Sequence, residues 1–419
     1  MRQNKYKFIY LLTGLLFLTP ARAAIILILP LILFIINRYI PLEYNKSVVR
    51  AFIAIVIVSG IYNMIAGNTS TPYYLLSLWL VTPTVFLLFS NPKRYIPQIS
   101  LDDFMGKTLW ILYTIDLIGL YYRLKEGGQD EFGTGYGRHY EYVHGLAIIN
   151  VLYALYFLNS VLKRKQTWKS LVKLFITIAA FALCDYGLGY IILFVSLIIW
   201  LLAKKQFKYV FFIALLIAGG AFMLTLDSFE YERENIYNAR NNQGDARKVI
   251  MFLNTRNVES ESFTIPLVGT GPGSYNSRAL VLILSKNSPL YSFFDGQYPP
   301  YYYKYIYPLW NERFVSQDDY TDGTRNQPFS SAIALAIEYG LILFLIVAYF
   351  WIKEIRKYNQ EGKQDEVADY LNMINIFMLV ACCFHEWAIC TEFFYFLIIS
   401  TIGKNTLMIK EENAHEIQK

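Results

Sequence analysis

Histidine and cysteine are both scarce in this chain, with four of each in 419 residues. Cys184, Cys382, Cys383 and Cys390 all fall in or beside apolar runs, where a free thiol behaves as a small hydrophobe. None lies in the large polar stretch 227–329, which predicts no disulfide framework and no Cys-based metal site. Charge is scarce too: 17% of residues are charged against 55% hydrophobic. That balance excludes a string of soluble domains and places the chain in the membrane class. A net charge of +6 is then no sign of nucleic acid; it reports where the lysines sit relative to a bilayer.

Twelve apolar runs are present: 8–18, 23–37, 48–66, 73–90, 107–122, 143–162, 171–184, 188–203, 208–226, 330–352, 371–390 and 391–403. Each is near the roughly 17–25 residues that a spanning helix needs, or somewhat short of it. Ala21-Arg22-Ala23 has the form of a signal-peptidase site, so residues 1–23 could be a leader; two short spanning helices are the preferred reading. The predicted fold is all-α, a polytopic membrane protein of about twelve transmembrane helices with one large external loop between helices 9 and 10. In domain terms that is helices 1–9 over 1–226, the loop over 227–329, helices 10–12 over 330–403 and a tail over 404–419.

Lysine and arginine in the connections orient the chain. With the N-terminus inside, every cytoplasmic connection is basic, so the large loop lies outside and both termini lie in the cytoplasm. A second asymmetry is chemical. The cytoplasmic connections carry 17 Lys and 6 Arg, the external ones 4 Lys and 10 Arg. Positive charge alone sets topology, and Lys serves for that. Planar, bidentate recognition of phosphate or carboxylate favours Arg. The external arginines therefore suit a phosphate, although the loop's own acids are competing partners.

Within the loop, Gly269-Thr270-Gly271-Pro272-Gly273-Ser274 is the most distinctive run. It is no Walker A loop, because no Gly-Lys-Ser/Thr follows, and no dinucleotide fingerprint, because the βαβ context is missing. Alternating glycines let a backbone turn sharply, and the N–H groups of such a turn can bind an anion. A plain turn between two loop helices is the simpler reading.

Together, Asn238-Ala239-Arg240, Asp245-Ala246-Arg247 and Pro266 through Tyr275 resemble the periplasmic loop of the bacterial O-antigen polymerase and ligase superfamily. There an Arg-bearing helix precedes a Gly-x-Gly-x-Gly-aromatic turn. Ser330 through Gly340, which closes on Glu338-Tyr339-Gly340-Leu341, is similar to that family's loop-closing segment. Two departures stand out. Arg325-Asn326-Gln327-Pro328 lies where the ligases carry His-Asn, and Cys184-Asp185-Tyr186-Gly187 replaces the family's Ser-Arg-Gly. The missing histidine favours a repeat-unit polymerase (Wzy-type) over a ligase.

The resemblance implies a metal-independent, cofactor-free glycosyltransferase of the bacterial plasma membrane, the inner membrane of a two-membrane cell. It would join undecaprenyl-pyrophosphate-linked oligosaccharide repeat units into O-antigen or capsule at the external face. Its partners would be that lipid-linked substrate, membrane lipids and a chain-length regulator, with no nucleic acid. Arg247 is the leading catalytic residue, with Arg138 and Arg240 beside it, to stabilise charge on the departing pyrophosphate. Arg278 and the Gly269, Gly271 and Gly273 backbone would support it, with Tyr275 and Asn276 in the same wall. Glu141, His139 and Glu392 compete as general base. Asp185 and His385 are ionisable groups at membrane depth and are read as substrate-facing or as structural pairs. The Tyr298–Tyr307 tract could stack sugars or lie at the lipid interface. A lipid-linked glycan flippase and a non-enzymatic assembly subunit are the alternatives outside the enzyme class. No convincing repeat between halves speaks for transport.

Overall fold

The computed structural model describes residues 10, 12–14, 22–126, 141–163, 167–184, 186–204, 218, 237, 247–277, 279–280, 283, 298–309, 330–385 and 390–418. Among them the chain is helical almost throughout. The helices are α1 (Arg22–Tyr39), α2 (Lys46–Ile65), α3 (Thr71–Leu88), α4 (Leu101–Glu126), α5 (Glu141–Leu162), α6 (Thr167–Leu183), α7 (Gly187–Ala203), α8 (Arg247–Glu261) and α9 (Ile265–Val268). They continue with α10 (Pro300–Tyr305), α11 (Ser331–Tyr339), α12 (Leu341–Glu361), α13 (Glu366–Phe384) and α14 (Thr391–Gln418). One antiparallel ribbon, β1 (Leu42–Tyr44) against β2 (Ser90–Pro92), joins the α1–α2 link to the α3–α4 link.

Four helical stretches among the described residues are long and apolar enough to cross a membrane: Lys46–Ile65, Thr71–Leu88, Gly145–Leu162 and Glu366–Phe384. The outward faces of other helices are apolar as well. Phe34, Trp110 and Phe175 are each about two-thirds exposed or more, a surface that water does not favour and hydrocarbon does. Of the run expected at 8–18 only residues 10 and 12–14 are described, and of 208–226 only residue 218. The run expected at 330–352 differs in a more informative way. It is two helices, α11 and α12, separated at Gly340, whose φ is +93°.

The middle of the bundle is α5 and α13. Residues Leu146–Leu155 of α5 and most of α13 are buried on every side, as a helix with apolar residues all round must be. Asp365 caps α13 by accepting from the N–H groups of Val367 and Ala368, at 2.7 and 3.1 Å. One turn on, Asp369 is buried and receives Lys204, Lys163 at 3.6 Å and the Trp200 indole N–H at 3.1 Å. Buried charge needs such partners. At the other end of the chain, Asn405 and Thr406 of α14 hold the α3–α4 link. Asn405 Oδ1 accepts from the Ile96 N–H at 2.7 Å and Thr406 Oγ1 from the Leu101 N–H at 2.9 Å.

The described part of 247–309 is folded rather than bare loop. Met251, Val258, Ile265, Tyr275, Tyr302 and Ile306 form a small core of their own, closed by Tyr73 of α3 and by Ile333 and Ile337 of α11. This second core, seated on α3 and α11, fixes where the site stands.

Candidate functional site

Glu338 lies on the last turn of α11 with no exposed surface. Its Oε2 accepts from the Gly273 N–H at 2.7 Å. Its Oε1 accepts from the N–H groups of Tyr275, Asn276 and Ser277 at 3.1, 2.9 and 2.9 Å. Hydrogen bonds to a carboxylate are roughly twice as strong as neutral ones, and four amides from the five residues 273–277 wrapped on one anion form a nest. The backbone joins in. The Thr270 N–H donates to the Ile337 carbonyl at 2.8 Å, and the Gly271 N–H to the Glu338 carbonyl at 3.0 Å.

The turn therefore holds an anion, and that anion is the chain's own. Sequence reasoning gave the Gly269, Gly271 and Gly273 backbone to a pyrophosphate. In this structure their N–H groups are taken by the Ile265 carbonyl, the Glu338 carbonyl and Glu338 Oε2. None is left pointing at a ligand.

Close approach explains the glycines. All three have positive φ. An ideal Cβ at Gly269 would stand 2.3 Å from the Glu338 carbonyl oxygen, and one at Gly273 would stand 2.8 Å from the Tyr73 carbonyl oxygen. No side chain fits there. From α2, Asn63 Nδ2 donates to the Gly269 carbonyl at 3.1 Å, and Thr69, between α2 and α3, donates to the Pro272 carbonyl at 3.0 Å. The turn is thus gripped by α2, α3 and α11 at once.

Tyr275 and Asn276, expected in the site wall, are buried beside the nest. The Asn276 carboxamide reaches Met251 Sδ at 2.9 Å, which ties the turn to α8. Arg247 is the first residue of α8, one turn before Met251, so the helix that carries it packs on the turn; its side chain is outside the described set, as is that of Glu141 at the start of α5. Arg138, His139, Asp185, Arg240 and Arg278 also lie outside the described residues.

The tyrosine tract becomes α10, pinned to the turn by the Tyr302 N–H, which donates to the Ser274 carbonyl at 3.1 Å. Tyr302 is buried, while Tyr298, Tyr303 and Tyr307 are exposed, with ring centroids 5.2–6.0 Å apart. Beside them Glu261 receives both Lys304 and the Tyr305 hydroxyl. Partial burial pushes the Glu261 carboxyl up, but the Lys304 ammonium and the hydroxyl outweigh it and hold the group below its usual range.

His385 stands at the opposite end of α11. The Ser331 N–H donates to the His385 carbonyl at 3.3 Å, and Ser330 Oγ donates to the Cys383 carbonyl at 2.8 Å, so the start of α11 is stitched to the end of α13. Glu392 is fully buried in the first turn of α14, where a helix N-terminus favours a carboxylate.

Sequence reasoning named Glu338 only as part of the loop-closing segment, with no role at the site, and passed over Asn63 and Thr69. Glu338 had a signal of its own: it is the one ionisable residue in the apolar run 330–352, and such a residue calls for a partner. Asn63 and Thr69 carried none, because their partners are backbone carbonyls about two hundred residues away.

No protein-family model matches this chain, and no curated protein matches it in sequence.

Proposed function

We propose that this protein polymerises lipid-linked oligosaccharide repeat units into surface polysaccharide at the external face of the bacterial plasma membrane. It would do so with about twelve spanning helices and both termini inside. One observation carries the reading. The two sequence fragments that resemble the O-antigen polymerase and ligase superfamily, 266–275 and 330–341, are a single hydrogen-bonded unit joined at Glu338. A helix opened by Arg247 packs on that unit through Met251. Turn, arginine helix and loop-closing helix thus share one place.

The chemistry asked of the site is a displacement. The acceptor sugar's hydroxyl oxygen forms a bond to the anomeric carbon of the donor repeat unit. The bond from that carbon to the undecaprenyl pyrophosphate breaks, and its electron pair leaves with the phosphate oxygen. A carboxylate or imidazole takes the hydroxyl proton, with Glu141, His139 and Glu392 the candidates. Arginine lowers the barrier by meeting the negative charge that grows on the leaving oxygen. The sugar–pyrophosphate bond itself supplies the driving force, so no nucleotide is required outside the cell. The glycine turn has a mechanical part here: with its amides committed to Glu338, it positions α8 and leaves anion binding to the arginines.

The Arg247→Ala variant tests this. It should reach the membrane in normal amount yet reduce the surface glycan to single repeat units. Long chains of normal length would overturn the mechanism. Polymer that forms but is not passed to the lipid core would mean a ligase instead.

A further inference from the structure

The end of α2 and the start of α12 hold a short stretch of chain between them. From α2, the Tyr62 hydroxyl donates to Thr264 Oγ1 at 3.3 Å, and Asn63 Nδ2 donates to the Val268 carbonyl at 3.4 Å. On the other side, a Cβ at Gly340, where α12 begins, would stand 2.8 Å from the Leu267 carbonyl oxygen. Residues 262–268, which include α9, are therefore level with the last turn of α2 and the first turn of α12.

That level is where hydrocarbon gives way to head groups. Helix α2 is long and apolar enough to cross a membrane, and it stops at Ile65. Ile57, Ile61 and Ile65 are exposed along α2, as are Ile342, Leu345 and Tyr349 along α12. Spacings of three and four put each set on one helix face, so two lipid-facing stripes arrive at the junction. The short stretch extends them with two exposed side chains of its own: Phe263, 83% exposed as Ile65 is, and Leu267, about half exposed. Charge resumes two residues before Phe263, at Glu261, which is paired with Lys304. Tyr62, with an apolar ring and a polar tip, is of the residue type that gathers at head-group depth. We propose that residues 262–268 lie in the lipid interface, with Phe263 and Leu267 set among the first acyl carbons of the leaflet around α2 and α12. The polar stretch is thus docked on the bilayer, and the turn at 269–277, next in the chain, is held close to head-group level. This goes beyond the proposed reaction: it rests on the bundle's standing in a bilayer and on no catalytic step.

Phe263→Cys in the full-length protein, coupled to a nitroxide, is reconstituted in nanodiscs of phosphatidylglycerol and phosphatidylcholine, where both faces of the bilayer are open. Label on the native cysteines, three buried and one half-buried, is subtracted with the unaltered chain. Oxygen, which dissolves in acyl chains, should relax the Phe263→Cys label more than a water-soluble nickel chelate does. Lys304→Cys, on the charged side, should show the reverse. The unlabelled Phe263→Cys thiol should react with a charged maleimide about tenfold more slowly than Lys304→Cys, because apolar surroundings disfavour the reacting thiolate. Equal alkylation rates overturn the proposal, and so does a label that the chelate reaches as readily as oxygen does. Shielding from both relaxants would mean that a protein partner or a second copy covers this face, and it overturns the proposal too. If Phe263→Cys fails to fold, Leu267→Cys gives the same readings. None of these measurements depends on polymer formation, so a chain that builds no polysaccharide sinks the polymerase reading and leaves this one to be decided separately.

Discussion

Gly269 and Gly340 lie backbone against backbone. A Cβ built on Gly269 would stand 2.7 Å from the Gly340 nitrogen, and one built on Gly340 would stand 3.1 Å from the Gly269 nitrogen. Both residues have positive φ, so the glycine turn and the break between α11 and α12 are one junction seen from two strands of chain.

That junction predicts an asymmetry among glycines. Gly269→Ala combines a left-handed backbone, which costs an L-residue about 1–2 kcal/mol, with a clash against the Glu338 carbonyl. It should lower the thermal midpoint in detergent by many degrees or abolish folded protein. Gly106→Ala, in the interior of α4 with nothing within 4 Å of its Cβ, should instead stabilise by about 0.5–1 kcal/mol. Equal midpoints for the two variants would refute the backbone contact.

Glu338→Gln keeps the shape of the side chain and removes its charge. The amide can offer one acceptor oxygen, so the Gly273 N–H then faces an NH₂ group. Buried donors left unmatched cost about 1–3 kcal/mol each, and a loss of about 2–4 kcal/mol overall is expected. Hydrogen exchange at the amides of Gly273, Tyr275, Asn276 and Ser277 should speed up together. Unchanged protection at those four amides would mean that the carboxylate does not organise the turn.

At the far end of α13, Lys204 and Lys163 both reach Asp369, but unequally. Lys204 is 6% exposed and in direct contact, while Lys163 is 29% exposed and 3.6 Å away. Removing one partner of a buried pair costs about 3–5 kcal/mol, so Lys204→Met should be severe. Lys163→Met should cost less, about 1 kcal/mol, because its ammonium stands farther from Asp369 and partly in solvent. The double change Lys204→Met with Asp369→Leu should recover much of the loss, read as thermal midpoints.

Asp365 gives a dependence on pH. Burial raises its pKa, but Lys410 at 2.6 Å and the Ala368 and Val367 amides outweigh that, so the folded value lies below the usual one. A depressed carboxylate adds stability above its unfolded pKa of about 3.9 and loses it as pH falls through the folded value. The protection factors of the first amides of α13, exchange rates corrected for the intrinsic pH dependence, should therefore be flat from pH 7 to about 5 and fall below about pH 4. Asp365→Asn retains a capping oxygen and should remove only the part that depends on Lys410.

The apolar helices were readable because length and apolarity suffice to specify them. The run 143–162 matches α5 to within two residues, and 188–203 matches α7 to within one. The turn was readable too, since alternating glycines have few other uses. Its occupant was not. The nest closes only when Glu338 arrives from more than sixty residues downstream, and nothing local to either segment announces the other. For the same reason 330–352 read as one span: Glu338 is a single charge in an apolar run, and the bend at Gly340 is imposed by Gly269. Lys163 and Lys204 were read as markers of the inner face, and the carboxylate they share was invisible because Asp369 lies two residues outside the run 371–390.

Residues 273–277 are synthesised before Glu338. Its carboxylate, which an apolar surrounding would reject, therefore meets its four N–H donors only if that earlier segment is in place beside it. The placing of α11, and of the three long helices that follow it, is thereby tied to a stretch of chain more than sixty residues upstream. A change that damages the turn strands an acid near the middle of 330–352, so a defect in the turn becomes a defect in the packing of the helices after it.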